Sequence, residues 1–120
     1  MSDYKVKYYK DSINGKRYVY KYIERLNTKD KAKVFKYIEF LGKNEGYLDE
    51  PYSRHIRGKI RELRVDFSKN RHRIFYFATF GKTIILLNAF LKKTKKTPKA
   101  EIEKALTYYK DALNNKNLYE

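Results

Sequence analysis

The sequence predicts an α+β fold in which a small antiparallel sheet follows a helical hairpin and precedes one long C-terminal helix. Three observations carry this. Apolar residues recur at helical spacing over two stretches near the start and one at the end, and three alternating runs fill the middle. Short loops rich in Asn, Ser and Gly join those runs, which favours an antiparallel meander over parallel crossovers.

The elements follow in order. Residues 4 to 9 alternate as an opening strand, with Tyr4, Val6 and Tyr8 on one face and Lys5 and Lys7 on the other. Asn14-Gly15 breaks it. From Arg17, Val19, Ile23 and Leu26 recur at helical spacing beside Tyr18 and Tyr22. A second helix follows Thr28 as N-cap, with Val34, Phe35, Ile38 and Leu41 as its core stripe and Gly42 at its C-terminal end. Few residues separate the two, so they are expected to form an antiparallel hairpin across the sheet. Residues 46 to 53 read as a loop. Strands are expected at roughly 56 to 67, with Leu63, Val65 and Phe67 on one face, and at 72 to 80, with Ile74, Tyr76 and Ala78 opposite Arg73, Phe75 and Phe77. A third at 83 to 91 is apolar on both faces at Ile84-Ile85-Leu86-Leu87, as a strand covered on two sides requires. Thr97-Pro98 forms an N-cap and N1 pair. Behind it Ile102, Ala105, Leu106, Tyr109, Ala112 and Leu113 trace one helical face. The polar residues 114 to 120 are expected to fray. No internal repeat or linker divides the chain, so residues 1 to 120 are read as a single domain.

Composition narrows the function. The 120 residues are 42% hydrophobic and 17% aromatic, enough for a folded core. Lys and Arg number 29 against 14 Asp and Glu, a formal net charge of +15, so a polyanion or an acidic partner is expected to neutralise the self-repulsion. There is no cysteine, which excludes disulfides and thiolate metal sites. Two histidines without a carboxylate cluster argue against structural zinc. No metal and no cofactor are expected. The first residues lack an apolar segment and no run approaches 18 apolar residues, so the expected location is cytoplasmic.

The chemistry-bearing stretch runs from Arg54 to Lys99. It carries Arg54, Arg57, Lys59, Arg61, Arg64, Arg71 and Arg73 on or beside the strands, then Lys92, Lys93, Lys95, Lys96 and Lys99. Scattered carboxylates disfavour a two-metal nuclease. A set of cations suits metal-free RNA cleavage, in which the ribose 2′-hydroxyl attacks the adjacent phosphate. That reaction needs a proton acceptor, cations over the phosphorane and a donor for the departing 5′-oxygen. Arginine forks match two phosphate oxygens, whereas lysines among other cations lose protons more easily. Each signal also has a plainer reading. Basic strands and lysine clusters are often solvated surface, His55 and His72 read more readily as non-catalytic, and most of the 13 tyrosines belong to the core or its boundary. Glu62 is most simply an ion-pair partner of Arg61 or Arg64.

The pattern Gly58-x-Ile60-x-Glu62-Leu63-Arg64, then Arg73-Ile74-Phe75-Tyr76, then Leu87-x-x-Phe90-x-Lys92-Lys93-Thr94-x-Lys96-Thr97-Pro98-x-x-Glu101-Ile102-x-x-Ala105 resembles the phage-derived, HigB-like branch of the RelE/ParE toxin superfamily. The likeness covers roughly residues 17 to 110. It implies a RelE-like fold and a toxin of a type II toxin-antitoxin pair, a ribosome-dependent mRNA endoribonuclease. The implied partners are the ribosome, mRNA and a helix-turn-helix, HigA-like antitoxin in a hetero-oligomer. Carried over from the resemblance, Arg64 and Arg73 grip the scissile phosphate, and Lys92 or Lys93 stabilises charge or moves a proton. Arg61 and Lys95 rank second, and His55, Arg57, Lys59, Arg71 and Lys96 complete the expected RNA contacts. Branch members commonly have a histidine where this chain has Asn88, which cannot take a proton at neutral pH. Two alternatives stay open: a ParE-like gyrase poison, and a non-catalytic nucleic-acid-binding or repressor subunit.

Overall fold

A computed structural model describes residues 3–79 and 81–120. Five strands and three α-helices run in the order β1 (Lys5–Tyr8), α1 (Tyr18–Glu24), α2 (Thr28–Lys43), β2 (Ser53–Arg57), β3 (Ile60–Phe67), β4 (Asn70–Ala78), β5 (Thr83–Leu91) and α3 (Lys99–Asn114). A short 3-10 turn, Lys116–Tyr119, closes the chain. The expected strand end at Phe80 lies outside the described residues, as do Met1 and Ser2.

One sheet of order β1-β5-β4-β3-β2 is the centre of the molecule, with helices on both faces. On one face Leu63, Val65, Ile74, Tyr76, Ile84 and Leu86 meet Val19 and Ile23 of α1 and Val34, Ile38 and Leu41 of α2. On the other, Phe75, Phe77, Ile85 and Leu87 meet α3 through Ala105 and Ala112, whose small side chains let the helix approach closely. Phe75 is fully buried, worth about 2 kcal/mol of transfer free energy. Phe77 meets Tyr109 edge to face at 4.7 Å. Period-2 alternation thus places the side chains of β4 as the sequence implies, and Ile84 to Leu87 are covered on both sides.

Several expectations need correcting. The sheet is mixed, because β1 pairs parallel with β5, Lys5 opposite Thr83 through Tyr8 opposite Leu86. The stretch 56 to 67 is not one strand: Gly58, at φ 55°, turns the chain so that β2 folds back antiparallel on β3. Strand β2 therefore begins inside the expected loop. The two N-terminal helices lie on one face of the sheet and touch each other, α1 resting chiefly on β5 and α2 on β3. Asn27 rather than Thr28 caps α2, its Oδ1 accepting from the Asp30 N–H at 2.8 Å. At α3 the N-cap position is Pro98, and no side chain caps it. Phe35 points outward, 46% exposed. The C-terminal residues are tied down: Tyr119 is buried, and its hydroxyl donates to the Lys10 carbonyl at 3.2 Å and accepts from the Lys10 N–H at 3.0 Å.

Local geometry at β5 decides where Asn88 points. Tyr76 faces Leu86 while Phe75 faces Asn88, so Leu87 is an extra residue in the ladder. Without this bulge, alternation from Leu86 would turn Asn88 toward α1 and α2. With it, Asn88 turns toward α3, where its Nδ2 donates to the Glu101 carbonyl at 3.1 Å and to Glu101 Oε1 at 3.2 Å. Beyond Tyr8, β1 ends, so β5 from Leu87 onward has β4 as its sole strand neighbour among the described residues.

Candidate nucleic-acid interface

Cross-strand register assembles the site. One row of partners runs Arg54, Glu62, Phe75, Asn88 across β2, β3, β4 and β5, and the next runs Arg64, Arg73, Phe90. Partners in a ladder share a face, so these groups stand on the α3 side of the sheet with Phe75 and Phe90. Lys92 succeeds β5, its N–H bonded to the Arg71 carbonyl at 2.8 Å. Its ammonium lies within the field of Glu62, Arg73, Arg64 and Arg54.

The electrostatics are unusual for a surface built only for stability. Arg64 and Arg73 are direct cross-strand partners, a like-charge pairing that costs free energy. Two carboxylates temper it. Arg73 is 2% exposed, and its Nη1 donates to Asp66 Oδ1 at 2.7 Å and to the His72 carbonyl at 3.0 Å. Arg64 Nε stands 3.7 Å from Oε1 of the buried Glu62, its side chain 22% exposed. Burial lowers the Lys92 pKa; Glu62 opposes the shift, and Arg73, Arg64 and Arg54 add to it. Buried side-chain atoms left without a hydrogen-bond partner among the described residues are Glu62 Oε2, Arg73 Nε and Asn88 Oδ1. All three belong to these two adjacent rows. Unspent polar capacity of this kind is uncommon in a folded interior and coincides here with the cation cluster.

Of the residues singled out from sequence, the fold gathers Arg64, Arg73 and Lys92, with Arg54 beside them. Arg73 lies buried beneath the others: Arg64 and Lys92 are half-buried, and Arg54 is exposed and paired with Glu50 at 3.5 Å. Arg71 pairs with Asp66 at the same end of the sheet and is exposed. Lys93, Lys95 and Lys96 are exposed on the loop after β5 and extend the positive surface without entering the cluster. His55 and Arg61 must be set apart. They oppose each other and share a row with Tyr76, so they lie on the α2 side of the sheet. Arg61 Nε donates to Ser53 Oγ at 3.1 Å, and its guanidinium covers the Tyr47 ring at 4.7 Å. His55 Nε2 is 2.8 Å from the Gly58 carbonyl oxygen. Arg57 is exposed at the end of β2, and Lys59 borders a cleft near the C-terminal end of α3 with Thr79, Gly81 and Lys116. Glu62 pairs with Arg64, one of the two partners that the sequence offered it.

Sequence reasoning missed a second polar group. On the α2 side, His72 Nε2 is 2.8 Å from Asp30 Oδ2, His72 Nδ1 is 2.7 Å from the Tyr22 hydroxyl, and Asn70 Nδ2 donates to Asp30 Oδ2 at 2.8 Å. The hydrogen bond from His72, then that from Asn70, holds the Asp30 pKa below the usual carboxylate range. Burial, then the Asp30 charge, pushes the Tyr22 hydroxyl up to about 12. The sequence signal was a polar residue at the N-terminal turn of α2 facing a histidine in a strand, and only tertiary packing joins them. No helix among the described residues is long and apolar enough to cross a membrane.

Comparison with known proteins adds a family. Two curated relatives from Mycobacterium tuberculosis, of strains CDC 1551 / Oshkosh and ATCC 25618 / H37Rv, are both named probable endoribonuclease HigB1. Each is 45% identical over 51 residues, which are 42% of this chain and 40% of theirs. The chain thus spans about 40% of the length of these relatives. Residues 21–110 match the family described as phage derived protein Gp49-like. Since that match runs from within α1 through β2 to β5 and into α3, the chain belongs to the phage derived protein Gp49-like family.

Proposed function

We propose that this protein is a RelE-like toxin of a type II toxin-antitoxin pair that cuts mRNA on the ribosome by metal-independent 2′-hydroxyl attack. The observation that carries this reading is the convergence of Arg64, Arg73 and Lys92 on one sheet face, around buried polar groups with unspent hydrogen-bonding capacity. The likeness to proteins named probable endoribonuclease supports the same chemistry.

In the proposed reaction the Arg64 fork takes two oxygens of the scissile phosphate, and Arg73 adds positive charge from beneath. The 2′-oxygen attacks phosphorus as its proton passes to a solvent water, the bond to the 5′-oxygen breaks, and a 2′,3′-cyclic phosphate forms. Lys92 donates the proton that the departing 5′-oxygen needs. Its lowered pKa makes it a stronger acid than an ordinary lysine. Lys93, Lys95 and Lys96 meet flanking phosphates, and binding falls with salt as counterions are released. The ribosome supplies an unpaired, splayed codon. The partner is a HigA-like antitoxin with acidic surface that offsets the +15 charge, and the complex acts in the cytoplasm.

The test is incubation of the purified protein with translating ribosomes and mapping of mRNA 5′ ends. Cleavage within translated codons is expected, with free RNA cut poorly and a chelator without effect. DNA breaks in expressing cells with mRNA left intact would replace this reading by gyrase poisoning. The Lys92 assignment has its own signature. Because the ammonium is the acid, the rate is expected to fall as pH rises through the Lys92 pKa, starting below the ordinary lysine range. In Lys92→Arg that alkaline limb should disappear along with most of the activity, and a limb retained unchanged would reassign the donor.

A further inference from the structure

A groove of about 530 Å³ opens beside the part of β5 that β1 does not cover, between α1 and the N-terminal half of α3. Lys21 of α1, Arg25 at its C-cap and Lys104 of α3 line it, with Tyr18, Tyr108 and Asn88. We infer that this groove is a nucleotide subsite, holding one unit of single-stranded RNA next to the scissile phosphate; the inference rests on the proposed cleavage of RNA.

Four observations converge. First, cations dominate the lining: Lys16 joins Lys21, Arg25 and Lys104, while the one carboxylate among the described lining residues, Glu101, is paired with Lys104 at 3.4 Å. Lys21, in the last turn of α1, and Arg25, its C-cap, are both exposed and four residues apart, placed for phosphate oxygens. Second, Tyr18 and Tyr108 stack on each other at 4.8 Å with planes 8° apart, and Tyr108 also stacks on Tyr9, an aromatic stack that a base can extend. Third, Asn88 reaches this groove because of the bulge at Leu87. Its Nδ2 is committed to Glu101, while its Oδ1 is buried without a partner, free to accept an N–H from a base. Fourth, Asn88 belongs to the row of Glu62 and Phe75, two residues along the ladder from that of Arg64 and Arg73 and on the same face, so the groove continues the sheet face that carries the cation cluster. Adjacent strands lie about 4.8 Å apart, which puts Asn88 roughly 10 Å from β3, the reach of a short piece of RNA backbone. An acidic peptide would satisfy the cations but would leave the tyrosine stack and the Asn88 acceptor without a purpose.

The experiment is fluorescence anisotropy with a labelled, 2′-O-methylated single-stranded RNA that cannot be cut, comparing the full chain with the Lys21→Ala/Arg25→Ala variant. Both side chains are exposed, so the fold is expected to persist, checked by circular dichroism. The dissociation constant should rise about tenfold or more, and the slope of log affinity against log salt should shrink by about 0.7 for each phosphate no longer neutralised. Unchanged affinity and slope overturn the inference. So does a variant that loses binding to a polyglutamate peptide but not to RNA. If the unaltered protein cleaves mRNA and the double variant binds RNA equally well, the subsite is wrong and the cleavage reading stands. If no cleavage occurs but the double variant loses RNA affinity as stated, the subsite stands and the reaction is wrong.

Discussion

Arg64→Ala is expected to lower the rate of mRNA cleavage by about 10²–10³-fold, the usual effect of removing one preorganised donor from a developing anion. Arg64 is the half-buried fork beside Glu62, whereas Arg54 is paired with Glu50 and Arg73 beneath is already committed to Asp66 and to the His72 carbonyl. The same change strips the buried Glu62 of its cation, so some stability is lost as well. Arg64→Lys separates the two effects. A lysine retains the charge near Glu62 and should bring the melting temperature back toward that of the unaltered protein. It offers a point charge in place of the planar fork, so most of the rate loss should persist. Full activity in Arg64→Lys would mean that charge alone matters. Full activity in Arg64→Ala would remove Arg64 from the reaction.

His72→Leu is expected to destabilise the fold by about 3 kcal/mol, the typical result of removing one partner from a buried pair. Its side chain and that of Asp30 are 2% and 5% exposed, and the ring also meets the Tyr22 hydroxyl. The change removes the ring partner of the Tyr22 hydroxyl and leaves Asp30 with the Asn70 amide in place of two side-chain donors. At roughly 4–8 °C per kcal/mol for a somewhat smaller domain, the melting temperature should drop on the order of 10 °C. The pH dependence has a definite sign. Since Asp30 titrates lower in the folded state than in the unfolded chain, its contribution is fully present above the unfolded value of roughly 4. It is lost as pH falls through the lower folded value. His72→Leu should therefore cost most near neutrality and progressively less in acid. An equal loss at every pH would show that packing, rather than the Asp30 pairing, is responsible.

Much of the architecture was legible because period-2 alternation survives in β4 and the apolar stripe of α3 is long and uninterrupted. What escaped the sequence was decided by pairing. Whether Ile56 to Phe67 is one strand or two depends on Gly58 adopting positive φ, which a glycine permits without announcing. The parallel β1 depends on the path of α1 and α2 around the sheet. At the site, the resemblance named Arg64, Arg73, Lys92 and Lys93; the fold makes the two arginines cross-strand partners and sets Lys92 within their field, while Lys93 is exposed on the loop after β5. Arg61 shares the face of Leu63 and so turns away from Arg64, and His55 joins it there through the pairing of β2 with β3, a register that one residue of slip would reverse. The same rule hid Asn88: nothing in Leu86-Leu87-Asn88 signals an extra residue, yet the bulge alone turns that amide toward α3. The Tyr22–His72–Asp30 group is joined across 50 and 42 residues, beyond any local pattern.

The central claim is that the cations gathered on the α3 side of the sheet hold a phosphate while the neighbouring 2′-hydroxyl displaces the 5′-oxygen. Chemical analysis of the RNA ends left after incubation with translating ribosomes and chelator tests it most directly. The account predicts 2′,3′-cyclic phosphates upstream and 5′-hydroxyls downstream of each cut, absent with Arg64→Ala. Upstream 3′-hydroxyls paired with downstream 5′-phosphates would contradict it, because water rather than the ribose would then be the nucleophile.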